Sequence, residues 1–278
     1  MTRYALNPSM PVLLRPDGGV QVGWDPRRAM LVRPPIGMSA TRLADLLRGL
    51  QSGATLAEIQ ARAEGVDGAV IADLVTSLVD AGVLTCLASR RTRAASIRIH
   101  GRGPLSDLLA GALRCSGARI THSSRTHAGA PPEPTDLVVL SDYLVSDPRV
   151  VRDLHAAGVS HLPVRVRDGA GLVGPLVIPG VTSCLGCADL HRSDRDAAWP
   201  AVAAQLRDTV GSADRATVLA TAALALNQVD RVIRAVRGGH DVGRSAEPPP
   251  TLDTTLEFDV NTGSIVARRW SRHPRCSC

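Results

Sequence analysis

The sequence contains no lysine, and all 32 of its Lys or Arg positions are arginine. Without lysine the chain cannot form a catalytic Schiff base, use a lysine as general base or bind phosphate through a P-loop lysine. Aromatic residues make up only 2% of the chain, so its cores must be built from Val, Leu, Ala and Ile. The uniform use of arginine indicates a GC-rich genome, so the net charge of +6 gives little support for a nucleic-acid partner.

Long apolar runs are absent as well. The N-terminal stretch MTRYALNPSMPVLL lacks the apolar region of a signal peptide, and the most apolar helical run, residues 216–226, is too short to cross a bilayer. We therefore expect a cytoplasmic protein without a membrane partner. In that compartment paired cysteines more often bind metal or perform redox chemistry than form structural disulfides.

The length of 278 residues is enough for two domains of the α/β class. Residues 1–86 begin with short strand-like runs and continue with three helix candidates and a returning strand. Ser39, the capping-box residue Thr55 and Asp67 stand where N-caps of those helices would lie. This order of elements is typical of a small winged-helix module, and such a fold carries no function by itself.

A polar, arginine-rich linker is predicted at residues 87–96, and the pattern then changes. Residues 97–278 open with a strand, a glycine turn, a helix and a second strand, which is a Rossmann-like order. A long apolar helix is predicted at 214–237, and a hairpin at 256–270 leads to the C-terminal tail.

Four of the six cysteines stand in two short pairs. Cys184 and Cys187 form a CxxC pair after a strand, and Cys276 and Cys278 form a CxC pair after the hairpin. Two such pairs can complete a tetrahedral zinc site, which would clip the tail to the middle of the chain. Four thiolates leave no position open for water, so the prediction is structural zinc. A redox-active CxxC with a frayed tail, or four incidental thiols, are the alternatives.

The glycine turn is a degenerate nucleotide motif. Gly101 and Gly103 occupy two places of G-x-G-x-x-G, but Ser106 fills the third, and the acidic ribose ligand about twenty residues later is missing. The alternative is a tight strand-to-helix turn without a ligand.

Two segments carry a family resemblance. The Rossmann opening, an Asp at a later strand end and the knuckle PGVTSCLGC are together similar to the ThiF/MoeB superfamily, the ubiquitin-activating-enzyme-like adenylyltransferases. More narrowly, IPGVTSCLGCADLHRSDRDAAWP and the end HPRCSC resemble the ThiF-like partner proteins of YcaO cyclodehydratases, which serve the biosynthesis of azoline-containing ribosomal peptides. The resemblance implies a PqqD-like winged-helix module at 1–86, a reduced ThiF-like domain at 97–278 and a homodimer, for which the helix at 214–237 is a candidate contact.

The residues that adenylation needs in this family are largely missing. Asp142 stands where the metal-binding Asp would be, but Tyr143 follows where the family prefers Asn. Small residues and proline fill 123–135, where an arginine-bearing crossover would be. No cysteine between Cys187 and Cys276 is available for a thioester. We therefore expect no catalysis and no ATP cofactor, and we interpret Asp142 as a strand-end or helix-capping residue.

The resemblance also implies how a leader peptide would bind. It would add a strand to the edge of Ala29–Arg33, in a groove shared with the helix Val70–Ala81, so that backbone hydrogen bonds provide affinity. The candidate binding residues on this strand are Met30, Leu31, Val32 and Arg33. Alternation puts the first and third on one face and the other two on the opposite face, and the sequence leaves open which face meets a peptide or whether all four complete the core.

The leading hypothesis is a non-catalytic scaffold that binds a precursor leader peptide and presents it to a separate YcaO-type enzyme. A second hypothesis is an ATP-dependent adenylyltransferase, in which Arg102, Arg125 or Arg149 would replace the missing phosphate ligands. A third is a winged-helix DNA-binding regulator with phosphate contacts from Arg42, Arg48 and Arg62. The acidic residues on the same helices disfavour a nucleic-acid partner.

Overall fold

The computed structural model describes residues 2–87, 93–124, 134–237 and 248–278. The chain divides into two compact units, with the boundary near residue 91. Half of the predicted linker, residues 88–92, and most of the predicted crossover loop, together with Arg125, lie outside the described residues. Among the described helices, none has the length and apolarity needed to cross a membrane.

The first unit is built from short strands and three helices. Its elements are β1 (Arg3–Leu6), β2 (Val12–Leu14), β3 (Val20–Val22), β4 (Met30–Val32), α1 (Ala40–Gly49), β5 (Ala54–Thr55), α2 (Leu56–Arg62), α3 (Gly68–Asp80) and β6 (Leu84–Leu87). The strands form two sheets, in the orders β5-β1-β6 and β2-β3-β4, and all pairs within them are antiparallel. The sequence did not predict β1 and β5, because β5 has only two residues and β1, RYAL, shows no alternation of apolar and polar residues.

The predicted N-caps of the three helices are confirmed. Ser39 accepts a hydrogen bond from the Arg42 N–H at 3.2 Å, and Thr55 forms a capping box with Glu58. Asp67 accepts from the Ala69 N–H at 2.8 Å. The helices pack their apolar sides on one core that holds mainly Leu, Val, Ile and Ala.

The second unit contains a seven-stranded sheet with helices on both faces. Its elements are β7 (Ser96–His100), α4 (Pro104–Leu113), β8 (Arg119–Ser123), β9 (Leu137–Ser141), α5 (Pro148–Ala156), β10 (His161–Arg167), β11 (Ala170–Val173), α6 (Leu185–Arg195), α7 (Trp199–Leu206), α8 (Arg215–Val236), β12 (Thr254–Asp259) and β13 (Ser264–Arg269). The strand order is β13-β12-β11-β10-β9-β7-β8. Strands β8, β7, β9 and β10 are parallel, as in the predicted Rossmann-like part. Strands β11 to β13 continue the sheet in antiparallel order, and β12 and β13 form the predicted hairpin.

Alternate residues of β9 show the two faces of this sheet. Leu137 and Val139 belong to a core with α4 and α8, whereas Val138 and Leu140 belong to a second core with α5 and α6. The apolar side of α8 is therefore buried within its own unit. On its other side Leu219 is 49% exposed. The homodimer and the contact through this helix stay predictions.

Candidate metal centre

The four paired cysteines converge at the start of α6. Cys184 is the N-cap of this helix, Cys187 lies in its first turn, and the tail brings in Cys276 and Cys278. The Sγ–Sγ distances are 3.8 Å from Cys184 to Cys187, 3.5 Å from Cys184 to Cys276 and 3.4 Å from Cys187 to Cys278. All four sulfurs lie within 4.8 Å of one another, and all four thiols are free. The prediction that the two pairs meet is confirmed.

The sulfur positions fit a tetrahedral thiolate site. Four sulfurs at about 2.3 Å from a central zinc ion define a tetrahedron with edges of about 3.8 Å. Three of the six separations are 3.4–3.8 Å, close to that edge and far from the roughly 2 Å of a disulfide bond, and the other three are at most 4.8 Å. Four incidental thiols have no reason to converge in this way, so the geometry favours a metal-binding cluster.

The two buried cysteines differ in how readily they ionise. Burial raises the pKa of Cys187, but backbone N–H groups of His273 and Cys184 donate to its sulfur and bring the pKa down to about 7. Burial raises the pKa of Cys184, and the N–H of Cys187 offsets only part of this effect. Several thiolates so close together need a cation to balance their charge. The cluster is therefore suited to a divalent metal.

Hydrogen bonds to α6 hold the C-terminal tail in place. His273 Nε2 donates to the Asp194 carboxylate at 2.7 Å, and His273 Nδ1 accepts from the backbone N–H of Arg275 at 3.1 Å. These two bonds require a neutral imidazole with its proton on Nε2. Arg275 also pairs with Asp194, and the Cys276 N–H donates to the carbonyl of His273 at 2.9 Å. These contacts among Asp194, His273 and Arg275, called the clasp below, position Cys276.

A second group of candidate metal ligands, His191 with Asp194 and His273, lies within 4.8 Å beside the cysteines. Three of its four imidazole nitrogens already have partners in the protein, because His191 Nε2 lies 3.1 Å from the carbonyl oxygen of Ser271 and both nitrogens of His273 are bonded as above. We interpret this group as part of the clasp.

The backbone just before the first cysteine pair is held by a residue far along the chain. Asp253 Oδ1 accepts from the N–H of Ser183 at 2.6 Å and from its hydroxyl at 2.7 Å. Sequence reasoning missed Asp253, Asp194 and His273, because nothing in their local pattern marks them as partners of a distant cysteine knuckle.

The carboxylate of Asp142 closes the glycine turn. It accepts from the backbone N–H groups of Leu105 at 2.9 Å and Ser106 at 3.1 Å, and from the Ser106 hydroxyl. Asp142 is 1% exposed and caps the N-terminus of α4. These N–H groups are the ones that a phosphate uses at such a helix start, and here they are bonded to a side chain of the protein itself.

The two glycines allow the end of β9 to approach this turn. A Cβ on Gly101 would lie 2.3 Å from the carbonyl oxygen of Ser141, and one on Gly103 would lie 2.7 Å from Asp142 Oδ1. Close packing against β9 therefore accounts for both glycines without a ligand.

The candidate peptide strand, β4, has one face in the core. Val32 is 5% exposed and Met30 packs on the same core, while Leu31 is 46% exposed and Arg33 is exposed too. Within the described residues β4 pairs only with β3, so its other edge carries no strand.

The arginines of the alternative hypotheses take different positions. Arg42 donates to the carbonyl of Glu64 at 2.9 Å, and Arg48 donates to Asp45 at 2.8 Å and to the carbonyl of Val12 at 3.0 Å. Two of the three candidate DNA contacts are therefore bonded inside their own unit.

No family model and no curated protein matches the sequence. Solved structures do match. The heterocyclase TruD covers the whole chain with a TM-score of 0.67 and 18% identity, and the chain spans 42% of TruD. Escherichia coli MccB with ATP matches 99% of each chain with a TM-score of 0.61 and 12% identity. The microcin C7 biosynthetic enzyme MccB in complex with N-formylated MccA matches 99% of each chain, with a TM-score of 0.60 and 12% identity.

This chain has their fold. At such low identities the likeness extends to architecture alone. The likeness covers nearly the whole length of MccB and about two fifths of the length of TruD. The chain therefore shares the fold of a heterocyclase and of a microcin biosynthetic enzyme.

Proposed function

We propose that this protein is a non-catalytic scaffold of ribosomal-peptide biosynthesis. It binds the leader segment of a precursor peptide through its first unit, a PqqD-like winged-helix module, and presents the precursor to a separate YcaO-type cyclodehydratase. The fold shared with a heterocyclase and with a structure of MccB bound to MccA supports this assignment.

The observation that carries the proposal is the open edge of β4 and the apolar residues around it. Leu31 lies on the exposed face of this strand, Trp24 is 81% exposed before it, and Ile36 is 99% exposed after it. The chain has only three tryptophans, and exposed large apolar side chains are typical of contact surfaces. A leader peptide would pair with the backbone of β4 and place apolar side chains against Leu31.

The closed glycine turn supports the absence of adenylation. A nucleotide phosphate would compete with the Asp142 carboxylate for the N–H groups of Leu105 and Ser106. Like charges at that position repel, so the turn disfavours ATP.

The cysteine cluster would hold a structural zinc ion in this scaffold. Its ligands would be Cys184, Cys187, Cys276 and Cys278. When bound, the ion supplies folding energy and no open coordination position for chemistry. The protein then provides the CxxC turn at the start of α6 and the hydrogen bonds between Asp194 and His273 that hold the C-terminal tail.

Binding of peptides encoded beside the gene tests the proposal. Fluorescence anisotropy with labelled synthetic leader segments should detect saturable binding to the wild type. Leu31→Asp should weaken that binding at least about tenfold, because it places a desolvated charge at the strand edge. The matched control is Leu13→Asp, since Leu13 lies on the same exposed face of the sheet, in register through Gln21, but on the opposite edge strand β2.

Equal losses in Leu13→Asp and Leu31→Asp would point to binding on the sheet face and contradict strand addition. The scaffold assignment would be overturned if no peptide encoded beside the gene bound, or if the protein catalysed pyrophosphate exchange with ATP.

A further inference from the structure

A cavity of about 770 Å³ lies in the second unit, next to the cysteine cluster. Strand β10, the helices α5, α6 and α7 and the C-terminal tail surround it, and Cys184, Cys276 and Cys278 form part of its wall. Its volume falls in the range of small-molecule binding sites. It is separate from the glycine turn, whose residues Gly101 and Gly103 do not line it.

Arg165 on β10 lines this cavity without a hydrogen-bond partner among the described residues. Its guanidinium makes no hydrogen bond and no ion pair with any residue in the described ranges, although the side chain is largely buried. Burial, followed by repulsion from Arg192, lowers the pKa of Arg165 to about 10, so it still carries its charge at neutral pH. A largely buried guanidinium without a hydrogen-bonded acceptor is costly, and an oxyanion in the cavity would supply that acceptor.

A second guanidinium is fixed in the same cavity by its neighbours. Arg192 donates to Asp189 at 2.8 Å and lies 5.1 Å and 4.9 Å from the ring centroids of Trp199 and Trp270. The Trp199 indole N–H also donates to Asp189 at 3.2 Å. Asp189, which lines the cavity together with Asp168 and Asp196, is thus hydrogen-bonded to Arg192 and Trp199 and not to Arg165.

The remaining walls of the cavity are mixed in character. Arg167 also lines it but is paired with Glu257 at 3.3 Å. Apolar side chains of Val145, Pro148, Val151, Leu185 and Leu206 cover other parts of the wall. A ligand that fits must offer an anionic group to Arg165 and an apolar body to these residues.

We propose that this cavity binds a small organic oxyanion, a carboxylate or phosphate on an apolar body, with Arg165 as its principal ligand. The planar guanidinium of arginine suits both groups, because a carboxylate or a phosphate can accept two parallel N–H···O hydrogen bonds from it. This site goes beyond the proposed leader-peptide binding and does not depend on it.

Calorimetric titration of the intact, metal-loaded protein tests the proposal with three probes. Octanoate represents the carboxylate, AMP the phosphate ester and inorganic phosphate the bare anion; octanol and adenosine are the uncharged controls. We expect octanoate or AMP to bind at least about tenfold more tightly than its uncharged control, because a charge-assisted hydrogen bond is lost in the control. Binding of octanoate alone assigns a carboxylate, and binding of AMP alone assigns a phosphate. No preference for either anion overturns the proposal.

Arg165→Met then assigns the binding to this residue. The anion should bind at least about tenfold more weakly to this variant, while Arg114→Met, which changes an exposed arginine outside the cavity, should bind as the wild type does. Because the Arg165 guanidinium makes no hydrogen bond with any described residue, the ligand-free Arg165→Met protein should melt no lower than the wild type. Unchanged affinity in this variant contradicts the assignment, and the wild-type comparison of charged and uncharged probes stands even if the variant fails to fold.

Discussion

Replacing Asp142 with alanine tests whether this residue is a structural cap. The change removes the acceptor of two backbone N–H groups and one hydroxyl at the buried start of α4. Each buried donor left without a partner costs about 1–3 kcal/mol, so we expect a loss of roughly 3 kcal/mol in the free energy of unfolding. At about 2–4 °C per kcal/mol for a unit of this size, the midpoint of thermal unfolding should fall by roughly 6–12 °C.

Calorimetry gives the global change, and amide hydrogen exchange at Leu105 and Ser106 gives the local one. Asp107→Ala is the matched control, because Asp107 lies in the same first turn of α4 but is exposed, and its loss should cost about 0.3–1 kcal/mol. Magnesium and ATP should not stabilise the wild type. The reasoning is refuted if Asp142→Ala unfolds within about 1 kcal/mol of the wild type or if ATP stabilises the wild type and not the variant.

Two further predictions concern the cysteine cluster and the buried histidines. Cys276→Ser should lose most bound zinc and part of the roughly 10 kcal/mol linked to it, while Cys115→Ser, an exposed cysteine outside the cluster, should keep its metal in a zinc assay. Burial lowers the pKa of His161 and of His100 from 6.5 to about 4, so between these values the unfolded state binds more protons and stability rises with pH. As the pH falls from about 7.5 to 5, each of these histidines should therefore lower the free energy of unfolding by about 2 kcal/mol, measured by urea unfolding. The His161→Asn variant should show a flatter dependence of stability on pH. A pH-independent stability over that range would contradict the neutral, buried state of both side chains.

The sequence predicts what depends on short spacing. The two thiols of a CxxC or a CxC pair are close enough to bind the same metal ion, and this spacing can be recognised without knowledge of the fold. The supports of the site are not readable, since Asp194, His273 and Asp253 reach the cysteines only after the sheet and α6 have formed.

Helix α6 itself escaped prediction for a related reason. Its buried residues, Leu185, Cys187 and Ala188, occupy only the first turn, and the rest of the helix is polar, so no long apolar stripe marks it. Similarly, alternation groups Leu31 on β4 with Arg33 just after it, but only the packing of Met30 and Val32 into the core of the first unit decides that Leu31 and Arg33 face solvent.

The most direct measurement of the central claim is X-ray absorption spectroscopy at the zinc edge, combined with metal analysis of the purified protein. The thiolate cluster predicts about one zinc ion per chain with four sulfur neighbours at about 2.3 Å. A protein purified without zinc that takes up none, or a metal shell of nitrogen and oxygen atoms, would contradict it.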